Sequence, residues 1–248
     1  MSKVAAPLFD LLEYFQGSWR SRRAGFEEVL KLREKPSTCF MFSSSKVFLD
    51  CEELNSTLST CYEIPRVFWS PFARKANGFF GCEDMCDADG NVNGHITWFR
   101  LITKKVDPMQ SSYSWSEMSF YTHWTPDSTI NFCFDVPKAS QFRLYQALAS
   151  QQQPLDVGDI YASHVTILDE IVAVFDESVW ALRDGVRGIE KVIKRSPFYI
   201  SLMPSLKDFS VEMTALDKMS TIIFSTTLQD MSYIPPRPWV LPWTQSTV

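Results

Sequence analysis

Between Ile160 and Arg195 the apolar residues recur at alternating spacings of three and four. Val165, Val172, Val179, Val186 and Ile193 form one set, and Leu168, Phe175, Leu182 and Ile189 fall between them. This is a heptad seam, with β-branched residues at every a position and larger side chains at d. It predicts one long helix laid along a partner helix, either in the same chain or in another subunit of a homo-oligomer.

Composition narrows what such a helix belongs to. The chain has 248 residues, 45% hydrophobic and 21% charged, the balance of a globular protein with a sizeable core. A formal net charge of -5 argues against a general nucleic-acid binder, which needs a positive field to attract phosphates. The first fifteen residues meet Asp10 too early for a secretory h-region, and no apolar run approaches the roughly 20 residues of a spanning helix. A cytoplasmic chain with six reduced cysteines and no membrane span is therefore expected.

The fold class expected is α+β. LFDLLEYF and GFEEVLKLRE read as two short helices within an N-terminal helical segment, residues 1–36, separated by Gly17 and the basic group Arg20, Arg22 and Arg23. That group is read as a solvated linker, with an anion grip as the alternative. Residues 37–153 read as a β-rich domain with a mixed or antiparallel sheet, closing with a helix over Lys138 to Ser150. A GFFG strand and the HITWFRLI strand are joined in a hairpin across Cys82 to Gly94. The heptad helix occupies 154–195, starting near Asp159, and 196–248 is a proline-rich, partly irregular segment. Its Pro235 and Pro238 form a PxxP beside Arg237, read as part of a terminal tail rather than a partner ligand.

Candidate chemistry is sparse. Asp87, Asp89, Asn91 and Asn93 resemble the opening of a calcium loop, but Arg100 stands where a bidentate Glu is needed, and turn formation explains the same residues. Cys82 and Cys86 with His95 and His123 lack the spacing of a structural zinc site and read as scattered thiols. On the strand from Trp115 to Trp124, alternation puts Met118, Phe120 and Trp124 on a core face. Glu117, Ser119, Tyr121 and His123 fall on the other, polar face. Glu117, Tyr121 and His123 are the candidate catalytic set if the chain is an enzyme. His164, near Asp159, Asp169 and Glu170, reads as the polar boundary of the long helix. No nucleotide-binding or acyl-transfer motif is present.

Several segments together resemble the cytosolic part of the CorA-like transporter-domain proteins of filamentous fungi. They are GFFGCED at Gly78 to Asp84, HITWFR at His95 to Arg100, YSWSEMSFYTHW at Tyr113 to Trp124, and the stretch from Ser163 to Lys191. The similarity spans about residues 65 to 195. It implies an α+β cytosolic domain whose last helix leads into a stalk, and a domain that senses divalent cations, chiefly Mg2+, at subunit interfaces. The Gly-Met-Asn pore signature of such proteins is missing from this sequence, so no pore residue carries over.

The leading expectation is a soluble, non-enzymatic CorA-like regulatory or interaction domain without its own pore, partnered through residues 160–195. One alternative is an enzyme or accessory protein of a fungal metabolic pathway using the polar face of Glu117, Tyr121 and His123. Another is a truncated, non-functional transporter remnant.

Overall fold

The computed structural model describes residues 7–32, 38–71, 78–107, 112–150 and 155–195. The expected proline-rich segment and its PxxP lie outside the described residues. The chain divides into two compact units, Met1–Lys191 and Val192–Val248. Apart from the last turn of the long helix, every described element belongs to the first.

Among the described residues seven strands run β1 Leu8–Phe15, β2 Ser18–Gly25, β3 Thr38–Ser43, β4 Gly78–Cys86, β5 Val92–Asp107, β6 Ser112–Thr125 and β7 Ser128–Phe134. Their order in a single sheet is β2-β1-β3-β7-β6-β5-β4. The sheet is mixed: β3 and β7 pair in parallel and every other neighbour is antiparallel. The helices are α1 Phe26–Leu32, α2 Ser45–Leu49, α3 Glu52–Tyr62, α4 Lys138–Ala149 and α5 Ala162–Arg195, with a 3-10 turn at Arg66–Trp69.

The N-terminal segment corrects the sequence reading. LFDLLEYF is strand β1, inserted between β2 and β3. Its Phe9 and Leu11 are buried on one face of the sheet and Leu12 on the other. A strand apolar on both sides mimics the i, i+3, i+4 spacing of a helix. The supposed linker is β2, joined to β1 by a two-residue turn in which Gln16 (φ 49°) and Gly17 (φ 87°) both take positive φ, as a tight hairpin requires. All three arginines are paired: Arg20 and Arg22 with the buried Glu13, and Arg23 with Asp10. Burial opposes the charge on Glu13, but the guanidinium groups of Arg22 and Arg20 outweigh it and hold its pKa below the usual range. Leu8–Phe15 and Ser18–Gly25 therefore belong to the sheet, and only Phe26–Leu32 of this segment is helical among the described residues.

Both faces of the sheet are covered. On one, α1, α2, α3 and the 3-10 turn enclose an aromatic core in which Phe48 meets Phe134 at 5.7 Å and Tyr62 meets Phe132 at 4.7 Å. The helices α2 and α3 interrupt a region read from sequence as strands alone. They follow β3 directly, and α2 is fixed by Asp135, whose carboxylate accepts hydrogen bonds from the backbone N–H of Ser45 (3.1 Å) and the Ser44 hydroxyl (3.0 Å). On the other face, α4 buries Leu144 and Leu148, and α5 buries Ile167, Ile171 and Val174. Arg143 on α4 grips Glu170 on α5 with two nitrogens, Nε at 2.9 Å and Nη2 at 2.5 Å.

At the β4 edge, strand register puts Gly81 directly opposite Trp98, an indole 5% exposed. A Cβ at Gly81 would stand well inside van der Waals contact with that ring. Gly81→Ala is therefore expected to destabilise the domain by about 1–3 kcal/mol, the usual range for overpacking. Urea unfolding should show a lower midpoint with an unchanged m-value.

Candidate functional site

All three histidines of the chain are buried. Two of them, His95 on β5 and His164 on α5, belong to a polar seat at the start of the helix. Asn131, central in β7 among Ile130, Phe132 and Phe134, has no solvent exposure and must find its partners within the protein. Its Oδ1 accepts from Thr122 on β6 and from Ser163 on α5, both at 2.9 Å, and its amide donates to the Cys39 carbonyl at 3.4 Å.

One residue on, His164 Nε2 and Thr97 Oγ1 on β5 share a 2.6 Å hydrogen bond. The ring packs against Tyr161 (5.5 Å between centroids) and Phe99 (6.1 Å). Its Nδ1 is buried and meets no hydrogen-bond partner among the described residues. Burial, helped by repulsion from His95, lowers the His164 pKa from 6.5 to about 4, so the ring is seated neutral.

His95 stands beside this pair. Its Nδ1 donates to Asp84 on β4 at 2.6 Å, and its Nε2 lies 3.5 Å from the Tyr161 hydroxyl. Just upstream of the helix, Trp124 Nε1 donates to the Val157 carbonyl at 2.7 Å, and Asp159 accepts from the Tyr161 N–H at 2.9 Å. These bonds engage the polar groups of β5, β6 and β7 with residues 157–164. Their chemistry is anchoring.

The catalytic set proposed from strand alternation does not converge. Glu117, Tyr121 and His123 do share one side of β6, but that side is the aromatic core rather than a polar surface. Tyr121 is fully buried and donates to the Tyr62 carbonyl, while His123 packs edge-on to the Tyr62 ring at 6.2 Å. Glu117 is exposed and pairs with Arg100. Six residues along a strand separate Glu117 from His123 by about 20 Å. Alternation correctly grouped the residues but could not reveal that Tyr62 of α3 lies over Tyr121 and His123.

The metal-loop residues fare similarly. Asp87 Oδ1 accepts from the backbone N–H groups of Asp89 (3.0 Å) and Asn91 (2.9 Å), and Oδ2 from the Asn91 side-chain amide (3.3 Å). The backbone N–H of Asn91 and those of its loop neighbours lower the Asp87 pKa. Gly90 (φ 81°) completes the turn, and Asn93 lies on β5. Cys82 and Cys86 are exposed on β4. Among the described residues no group of three or more His, Cys, Asp or Glu side chains is placed to share a metal ion. Asp87, Asp89, Asn91 and Asn93, the residues that resemble a calcium loop, lie at the turn of the β4–β5 hairpin.

His164 was read from sequence as a helix boundary facing solvent; it is a buried anchor. Glu170, read the same way, is the clamp to Arg143, while Asp169 is exposed. The signal that marks the seat in sequence is Asn131, one polar side chain inside the otherwise apolar run INFCF.

No family model matches the chain. No curated protein matches it. Among solved structures it is similar to the cytoplasmic domain of ZntB from Vibrio parahaemolyticus, at 11% identity and TM-score 0.37 over 91% of this chain and 96% of that one. It is also similar to full-length CmaX, at 12% identity and TM-score 0.36 over 92% of this chain and 76% of that one. Likeness at this level assigns no family.

The seat makes stability depend on pH. The native state holds His164 with a pKa of about 4 and the unfolded state with one near 6.5, so the unfolded chain binds the extra proton. The contribution of neutral burial is complete above pH 6.5 and is lost as pH falls toward 4, amounting to on the order of 3 kcal/mol. In His164→Gln, denaturant unfolding should lose much less stability than the wild type between pH 6.5 and 4. Parallel curves for the two proteins would contradict this assignment.

Proposed function

We propose that the chain is a CorA-like regulatory or interaction domain that works through helix-mediated assembly rather than through chemistry at a pocket. The observation that carries the reading is the surface α5 leaves over after docking. Val165, Val172 and Val179 are 60%, 43% and 55% exposed, although the helix buries Ile167, Ile171 and Val174 in the same turns. A row of valines repeating every seven residues on an exposed helix face is a surface awaiting a partner.

Two further points support it. The four segments resembling CorA-like cytosolic domains map onto β4, β5, β6 and α5, which together with Asn131 on β7 build the polar seat and the helix it holds. The enzyme reading, in contrast, has no converging set, since Glu117 stands apart from Tyr121 and His123. No helix among the described residues is long and apolar enough to cross a membrane.

A divalent cation, chiefly magnesium, is the effector class this reading carries from the sequence resemblance. The described residues of a single chain do not build its ligand set. Its proposed influence is accordingly on assembly.

Multi-angle light scattering on the purified full chain tests the proposal, with and without saturating magnesium. The expected result is a mass above that of one 28.5 kDa chain, with a self-association equilibrium that magnesium shifts. A strict monomer indifferent to magnesium would count against both parts of the reading.

A further inference from the structure

Resting on the assembly reading above, we infer that the partner of α5 is α5 of a second copy of this chain, aligned in parallel as a two-stranded coil. The valine row from Val165 to Val186 packs against its own counterpart.

The seating of α5 shows where that partner goes. At about 100° per residue, the face buried on the sheet is the one carrying His164, Ile167, Ile171 and Val174. Arg143 on α4 holds Glu170 and Glu177, which lie almost directly across the helix from the Val165, Leu168 and Val172 row. The seam therefore points away from α4. Ser163 reaches Asn131 on β7, while His164 and Tyr161 reach Thr97 and His95 on β5, so the free flank of α5 looks toward β4. There Cys82, Asp84 and Cys86 are exposed on the same side of the sheet as α5. Val165, Val172 and Val179 are exposed on that flank.

Residue type then selects the occupant. Every a position from Val165 to Val186 is valine, and of the four d positions Leu168, Phe175 and Leu182 are γ-branched or aromatic and Ile189 is β-branched. β-Branched side chains at a with leucine-type side chains at d favour two parallel strands over three or more. The pattern runs for four heptads, enough to sustain a coiled coil.

Charge points the same way. In the parallel arrangement the e positions Asp176, Arg183 and Glu190 face Ile171, Ser178 and Gly185 of the other helix, and no like charges meet. In a symmetric antiparallel arrangement, the attraction of Asp176 for Arg183 is offset by Asp169 facing Glu190. The antiparallel pair gains no charge complementarity and brings valine rows opposite the larger d residues.

Sedimentation equilibrium and cysteine cross-linking on the full chain test the inference together. The wild type should show the mass of two chains. Val172→Glu with Val179→Glu alters only side chains already exposed in the single chain, so the melting transition of the domain should persist. The dissociation constant should rise by about a hundredfold or more. Val179→Cys should form a covalent dimer under mild oxidation, because parallel a positions face each other. The wild type, treated alike, controls for its own six cysteines.

A dimer that the paired glutamates do not weaken, or a dimer in which Val179→Cys does not cross-link, would overturn the inference. A larger oligomer dissolved by the same glutamates would also overturn it, while leaving the assembly reading standing. A monomer would overturn both.

Discussion

The hydrogen bonds from Ser163 and His164 to Asn131 and Thr97 fix the rotation of α5 about its own axis, and much of the molecule follows from that rotation. A turn of one residue, about 100°, would carry the Val165 row onto the sheet and swing Ile167 and Ile171 away. Either face of the helix is apolar enough to be buried. What decides between them is the polar centre of the sheet, where Asn131 and Thr97 are buried and demand partners. A valine in the place of Ser163 would leave Asn131 Oδ1 with its bond from Thr122 but without the one from α5, and the net loss of one hydrogen bond costs about 0.5–1.5 kcal/mol. Polar matching therefore orients the helix, and hydrophobic burial of Ile167, Ile171 and Val174 holds it there.

This arrangement explains why a helix with a strong seam ends up with the seam outside. The stripe docked on the sheet carries no buried residue beyond Val174 among the described residues, whereas the heptad row continues through Val179, Leu182 and Val186. The helix thus has two adjoining apolar stripes of different length, the shorter closing the domain and the longer exposed at Val165, Val172 and Val179, where the proposed partner would dock. The bidentate Arg143–Glu170 pair restrains the first stripe from the α4 side and keeps the two roles on separate flanks. His164 is the sensitive member of the seat, since its neutral ring has a buried Nδ1 without a partner among the described residues.

Much of this was legible in the sequence, and the parts that were not share a cause. The long helix, the helix expected over Lys138 to Ser150 and found over Lys138–Ala149, the β4–β5 hairpin and the α+β class all follow from periodicity and turn chemistry. LFDLLEYF was misread because a strand inserted in the middle of a sheet is apolar on both faces and loses its period of two. His123 and Tyr121 were read as surface groups because alternation says which residues share a face but not whether α3 lies over it. The anchoring role of His164 depends on Thr97, 67 residues earlier in the chain, and no local pattern reports such a pairing. Asn131 was the available clue, since a lone amide in an apolar strand implies partners even when it does not name them.

The central claim is that α5 has one face committed to its own domain and another reserved for assembly. Amide hydrogen exchange along α5 at several protein concentrations measures this directly. Protection of residues 163–174, which belong to the domain, should stay constant, while protection of residues 175–191 should rise with concentration as helices pair. Protection that is uniform along the helix and independent of concentration would contradict the account.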